Sequence, residues 1–232
     1  MKRDGEVCTR VHTRYRVTQR TLMIDLGGPR RVLSSAPQGG GLRLASHILN
    51  HQVDPNSAGS GRRPARFPDP AYSLRALASQ FGIETGTVGL MTAVPMTQLV
   101  TARVCMGTLW MECFATVGVT NAVRAGEWPV MDAQRKRQEY PGTINLILVT
   151  NGNLSHAAMV GAVQVATEAK TGLLRDYAVP SCQSGTVATG TGTDAVVIAC
   201  RSRGQGPPHA YSGTHTIIGA LIGRVVADCV AR

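Results

Sequence analysis

Residues 142–149, Gly-Thr-Ile-Asn-Leu-Ile-Leu-Val, constrain the fold more than any other stretch. Ile144, Leu146, Ile147, Leu148 and Val149 leave no polar side to a strand. A run that apolar on both faces belongs in the middle of a covered sheet rather than against water. Something must therefore pack above it and below it. With 232 residues and a 43% hydrophobic composition, the chain can supply those layers within one domain.

The flanking segments suggest what the layers are. Residues 155–175 have Ser155 as an N-cap and carry Met159, Val160, Val163, Ala166, Leu173 and Leu174 at helical spacing. Residues 214–230 repeat that spacing with Ile217, Ile218, Leu221, Val225 and Cys229, and residues 70–80 form a shorter helix. Gly219 and Gly223 make a small-residue stripe on the last helix, suited to close packing within the fold or between subunits. Residues 88–94, 113–120 and 195–200 have the β-branched content of strands. Residues 22–26 and 31–35 predict a hairpin turning at Gly27-Gly28-Pro29, and residues 37–41 end its second strand. Strands and helices alternate only in part, so the expected fold class is α+β. Residues 1–20 form a basic N-terminal extension to a domain over 21–232, and the Pro-, Gly- and Ser-rich residues 54–70 a flexible loop inside it.

Charge and cysteines exclude some functions. Of the formal charge of +10, residues 1–70 hold +7, from 12 Lys and Arg against 5 Asp and Glu. Only 4% of residues are aromatic, so the stacking platforms of RNA-binding modules are missing and no nucleic-acid partner is expected. No apolar window reaches the roughly 18 to 20 residues of a membrane span, and the basic N-terminus lacks a signal core, which points to the cytoplasm. The six cysteines form no CxxC pair, so buried thiols are expected and no metal site.

The polar residues that remain fall into five clusters. Asn121 follows a strand, as a donor to a substrate carbonyl or as an ordinary turn residue. Thr143 and Asn145 open the apolar strand, and a Thr after Gly at a strand start is the arrangement of self-processing N-terminal nucleophiles. Lys170 projects into the apolar stripe of its helix with Thr167 one turn earlier; it is either a desolvated base or a snorkelling side chain. Glu168 falls on the opposite face, among Ala157, Gly161, Gln164 and Gly172. Thr189, Thr191, Thr193 and Asp194 alternate with glycine ahead of a strand, which combines close backbone approach with a row of hydroxyls and one anion. Thr214 and His215 stand at the start of the last helix, whose N-terminus favours a neutral imidazole.

These stretches resemble the adenosylcobinamide amidohydrolase family. The blocks are VLSSAPQGGG (32–41), VGLMTAV (88–94), VGVTNAVRAG (117–126), GTINLILV (142–149), ATEAKTGLL (166–174), ATGTGTDAVVIA (188–199) and YSGTHTIIGALIGR (211–224), seven in one order. The resemblance implies a prokaryotic enzyme of corrinoid salvage that hydrolyses the amide between the corrin propionate and aminopropanol, yielding adenosylcobyric acid. It implies a small-molecule corrinoid as partner and no established cofactor, since the cobalt belongs to the substrate. A corrinoid carrier without catalysis is the alternative. Thr143, Glu168, Lys170, Asp194 and His215 are then the catalytic candidates, and Asn121, Asn145, Thr189, Thr191, Thr193 and Thr214 the substrate-binding ones, all expected in one shared cleft. GTINLILVTN and GTGTDAVVIA are also similar, more weakly, to the core of the ornithine acetyltransferase and β-aminopeptidase superfamily. That second likeness implies an αββα sandwich with mixed sheets covered by helices, and a nucleophile at Thr143. Oligomeric state is not legible.

Overall fold

The structure, a computed structural model, describes residues 12–53, 69–128 and 142–232. Three strands come first: β1 (Arg14–Thr18), β2 (Thr21–Ser34) and β3 (Gly41–Gln52). Helix α1 (Pro70–Gln80) precedes β4 (Thr87–Thr92), β5 (Val100–Met106), β6 (Leu109–Val117) and the short β7 (Ala122–Val123). The second half runs β8 (Ile144–Thr150), β9 (Asn153–Leu154), α2 (His156–Asp176), β10 (Gly190–Thr191), β11 (Ala195–Cys200), β12 (Pro208–His209) and α3 (Ile217–Val230). The large sheet has the order β4-β3-β2-β11-β8-β6-β5, with β1 also paired to β2. It is mixed, since β8 with β11 and β3 with β4 are parallel. The fold class is α+β, and among the described residues no helix is long and apolar enough to cross a membrane.

The expected hairpin at 22–35 is instead one strand. Between Asp25 and Arg30 β2 advances five residues while β3 moves only two, from His47 to Ala45. Gly27 and Gly28, at φ of 71° and 123°, absorb the surplus as a bulge, so the glycines bend the strand without reversing it. Arg30 pins the bulge by donating from Nε to Leu26 O and from Nη1 to Thr150 O, both at 2.9 Å.

A bent sheet folds over on itself. Asn50 on β3 donates to Thr116 Oγ1 on β6 at 3.1 Å. Those strands are four places apart in the order, which in a flat sheet is about 19 Å at roughly 4.8 Å per strand. The halves therefore face each other across a core in which Leu22, Ile24, Ile48, Val88 and Leu90 meet Phe114, Ile147, Val149 and Val197. On the outer side Ile144, Leu146, Leu148, Val196 and Ile198 are covered by α2 and α3 residues such as Met159, Ala162, Ile222 and Val225. Ala78 of α1 packs on Met23 and Leu49 behind β2 and β3. The αββα layering is thus built from one continuous sheet, and both faces of β8 are buried.

Local signals set the helix ends. Ser155 caps α2 by accepting from Ala158 N at 3.0 Å. Thr216 caps α3 by accepting from Gly219 N at 3.0 Å, so that helix starts at Ile217 and not at 214. Gly219 lies under the backbone of Ser212 and Gly213 with no room for a side chain, whereas Gly223 faces open space. Arg14–Thr18, inside the segment read as an N-terminal extension, is β1, and Asp69 and Pro70 open α1; the remainder of 1–11 and 54–68 lies outside the described residues.

Glu112 is fully buried and accepts from Arg103 Nη1, His12 N at 2.6 Å and Thr13 N at 3.1 Å. It ties the approach to β1 onto β6, where Tyr15 also meets Phe114 edge-on at 5.2 Å. Glu112→Ala strands the buried Arg103 charge and should lower unfolding free energy by about 3–5 kcal/mol in urea titrations, with Arg103→Met in the same chain recovering part of it. At the sheet's far side, burial and then Arg20 push the His51 imidazole below its usual range, and its Nδ1 lies 2.8 Å from Thr21 Oγ1. Burial acts on His209 in the same direction. The unfolded chain then binds the proton first, so this stability is complete above about pH 6.5 and is lost as pH falls toward the folded-state values. Thermal melts of His51→Gln between about pH 6.5 and 5 should fall less steeply than those of the parent.

Candidate functional site

At one end of the folded sheet β6 leaves, β8 begins and β11 begins side by side. Asp194, just before β11, joins three of the segments that meet there. It accepts from Lys170 Nζ of α2, from Ile144 N of β8 at 3.0 Å, and from Thr191 N at 3.0 Å and Thr191 Oγ1 in its own loop. Lys170 is 6% exposed, and the ion pair explains why an ammonium is tolerated in the apolar stripe of α2. Gly190 is required for this approach, because a Cβ there would collide with Asp194 Oδ2 and lie 2.7 Å from Lys170 Nζ.

Thr143 adjoins the carboxylate through the Ile144 peptide. Its hydroxyl donates to Thr193 O at 2.9 Å and accepts from Thr193 Oγ1 at 3.1 Å. The preceding Gly142 presses on the backbone of Gly118, and Gly118 N donates to Thr143 O at 3.0 Å. Asn121 Oδ1 stands over Gly142, 2.8 Å from where a Cβ would sit, buried and without a hydrogen-bond partner. Asn145 donates its amide to Asn50 Oδ1 at 3.0 Å and Met91 O at 2.8 Å, which leaves Asn145 Oδ1 buried and unpartnered. Two buried acceptors therefore want a donor, one over Gly142 next to Thr143 and one between the sheet halves beside Asn50.

The expected single cleft is only partly realised. Lys170, Thr191 and Asp194 are bonded directly, Thr143 and Thr193 bond each other next to them, and Asn121 stands over Gly142, but Asn145 points between the sheet halves and Glu168, Thr214 and His215 lie elsewhere. Glu168 is two residues from Lys170, about 200° around the helix, and so faces away. It lines a separate groove of about 550 Å³ with Gly161, Gln164, Thr214 and His215. Thr189 lies in another groove, of about 470 Å³, with Arg124, Thr171 and Arg175. Asn50, 1% exposed and bridging Asn145 to Thr116, escaped the sequence reading. Its signal was an Asn after Ile48-Leu49, legible only once 41–52 is known to be a strand. Among the described residues no three His, Cys, Asp or Glu are grouped to hold a metal. Cys113, Cys200 and Cys229 are buried thiols, and the Cys229 side chain raises the pKa of Cys113 well above the usual thiol range.

The adenosylcobinamide amidohydrolase family model, CbiZ, matches residues 5–232. A protein named adenosylcobinamide amidohydrolase from Methanosarcina mazei is 31% identical over 219 residues, covering 91% of this chain and 92% of its own. A protein of the same name from Halobacterium salinarum is 36% identical over 121 residues, 50% of this chain and 46% of its own. An uncharacterized protein of Methanocaldococcus jannaschii is 29% identical over 230 residues, 91% of this chain and 84% of its own. Among solved structures, the PH0078 protein from Pyrococcus horikoshii aligns with a TM-score of 0.47 at 10% identity, over 98% of this chain and 82% of its own. A Burkholderia β-aminopeptidase aligns at 0.39 and 14%, over 97% and 82%.

Two glycines of one loop give a paired test of the Asp194 junction. Gly190→Ala should drive Asp194 and Lys170 apart and lower both melting temperature and ligand response. Gly192→Ala, with nothing within 4 Å of its added carbon, should melt like the parent.

Proposed function

The chain belongs to the adenosylcobinamide amidohydrolase family, and we propose that it hydrolyses the amide between the corrin propionate and aminopropanol at the end of the folded sheet, releasing adenosylcobyric acid. The observation that carries this location is Asp194, which pairs with Lys170 and holds Ile144 N next to the mutually bonded Thr143 and Thr193 hydroxyls, with the unpartnered Asn121 Oδ1 over Gly142. Thr143 Oγ attacks the amide carbonyl carbon, and the C–N bond breaks as the hydroxyl proton passes by way of the Lys170–Asp194 pair to the departing amine. Water then cleaves the Thr143 ester, leaving a carboxylate on the corrin and restoring the hydroxyl. The Asn121 amide is suited to bind the oxyanion of each tetrahedral state. Asn121 Oδ1 and Asn145 Oδ1 are suited to accept substrate N–H groups, with which the corrin periphery is well supplied. Family membership fits corrinoid salvage in a prokaryotic cytoplasm, with the corrinoid as small-molecule partner.

Incubation with adenosylcobinamide should give free aminopropanol and a product bearing a new carboxylate; corrinoid binding with no amine released would identify a carrier instead. Thr143→Ala, which also removes two buried hydrogen bonds, should lower turnover by at least about 100-fold in a chain that still melts cooperatively, with Thr143→Ser recovering part of it. If Glu168→Gln or His215→Asn costs more than Thr143→Ala, the chemistry belongs in the 550 Å³ groove and this location is wrong.

A further inference from the structure

The 470 Å³ groove has features that the amide chemistry does not use. Arg124, Thr171, Arg175 and Thr189 line it, with Val187 and Ala188 between. The ion pairs among the described residues are Arg14–Asp25, Arg103–Glu112 and Lys170–Asp194, and neither groove arginine takes part in one. Arg124 is fixed by donation from Nη1 to Val187 O at 3.0 Å. Arg175 lies in the last turn of α2 and turns into the groove. Thr189 Oγ1 accepts from Ala125 N at 2.8 Å, which keeps its own hydrogen for another acceptor, while Thr171 donates to Thr189 O at 3.0 Å.

The neighbouring acid is Glu127, whose carboxylate accepts from Ser184 Oγ, Ser181 Oγ at 2.7 Å and Arg124 N at 2.9 Å. The Ser184 hydroxyl, then the Arg124 amide and the Ser181 hydroxyl, hold its carboxyl below the usual range, and the Arg124 charge adds to this from beyond ion-pair distance. Two guanidinium groups at one concave surface, without a paired carboxylate, concentrate positive potential there. Their planar donor forks match the oxygens of a phosphate.

We infer that this groove is an oxyanion site of the phosphate class, bound by Arg124 and Arg175 with the Thr189 hydroxyl. Its place gives it a use. Thr171 and Thr189 are the immediate chain neighbours of Lys170 and Gly190, so an anion held there lies one residue from the Thr143 site along both α2 and the loop into β10. The phosphate is either a free ion or an ester carried on the arm of a corrinoid. The binding itself does not depend on the location proposed for the chemistry; only its competition with substrate does.

Calorimetric titration of the full chain with inorganic phosphate, at fixed ionic strength in chloride, should give saturable binding. Arg124→Met and Arg175→Met should each weaken it by about tenfold or more, the loss expected for one charged hydrogen-bond donor, and Arg175→Lys should weaken it less. Both arginines are exposed, so the variants should melt like the parent. Absence of saturable heat in the parent, or an affinity indifferent to both Met substitutions, overturns the inference. If phosphate raises the apparent KM for adenosylcobinamide, itself without phosphate, and leaves kcat unchanged, the anion site overlaps the bound corrinoid and suits an ester on its arm. If it binds and leaves KM alone, the site serves the free ion. A protein that binds phosphate yet releases no aminopropanol would refute the catalytic reading and leave the site standing.

Discussion

A strand with no polar side has to be enclosed, and in this protein the sheet encloses its own centre. β8 cannot rest one face on helices and leave the other in water, because Ile147 and Val149 point away from α2 and α3. The chain meets the requirement by bringing β2, β3 and β4 back over β8 and β6. The bulge in β2 permits the bend, and the buried Asn50 bridge to Thr116 and Asn145 fixes how the halves register. Burying polar amides costs free energy unless they are paired, and here each pairing ties one half of the sheet to the other. The candidate site sits where that closure ends.

Asp194 shows how the site is held. Its carboxylate takes donors from a helix, a strand start and its own loop, so a shift in any of them disturbs the rest. A carboxylate with so many donors fixes the position of Lys170 and of the start of β8 together. Thr143 consequently occupies a fixed position before any ligand arrives, and the unpartnered Asn121 and Asn145 oxygens are the groups left to be satisfied.

Much of this was legible in residue order. Continuous apolarity placed β8 in a covered sheet, Ser155 marked the start of α2, and the 100° projection put Lys170 inward and Glu168 outward. The glycine and threonine loop at 189–194 was singled out because so many hydroxyls rarely precede an apolar strand without a task. What failed were properties set by partners distant in sequence. Gly27-Gly28-Pro29 has the chemistry of a turn, and only the pairing with β3 makes it a bulge. Thr214 looked helical until Thr216 proved to be the cap. Nothing local says that Glu168 and His215 share a groove away from Thr143, and Asn50 had no visible role until its strand was known.

The position of β11 bears on the order in which the molecule can assemble. It lies between β2 and β8, which pair with it and not with each other, although residues 21–34 and 195–200 stand at opposite ends of the chain. During synthesis the sheet stays in two unjoined parts until its wedge has left the ribosome. Until then the facing edges of β2 and β8 have no partner, which is the cost of joining strands so far apart in sequence.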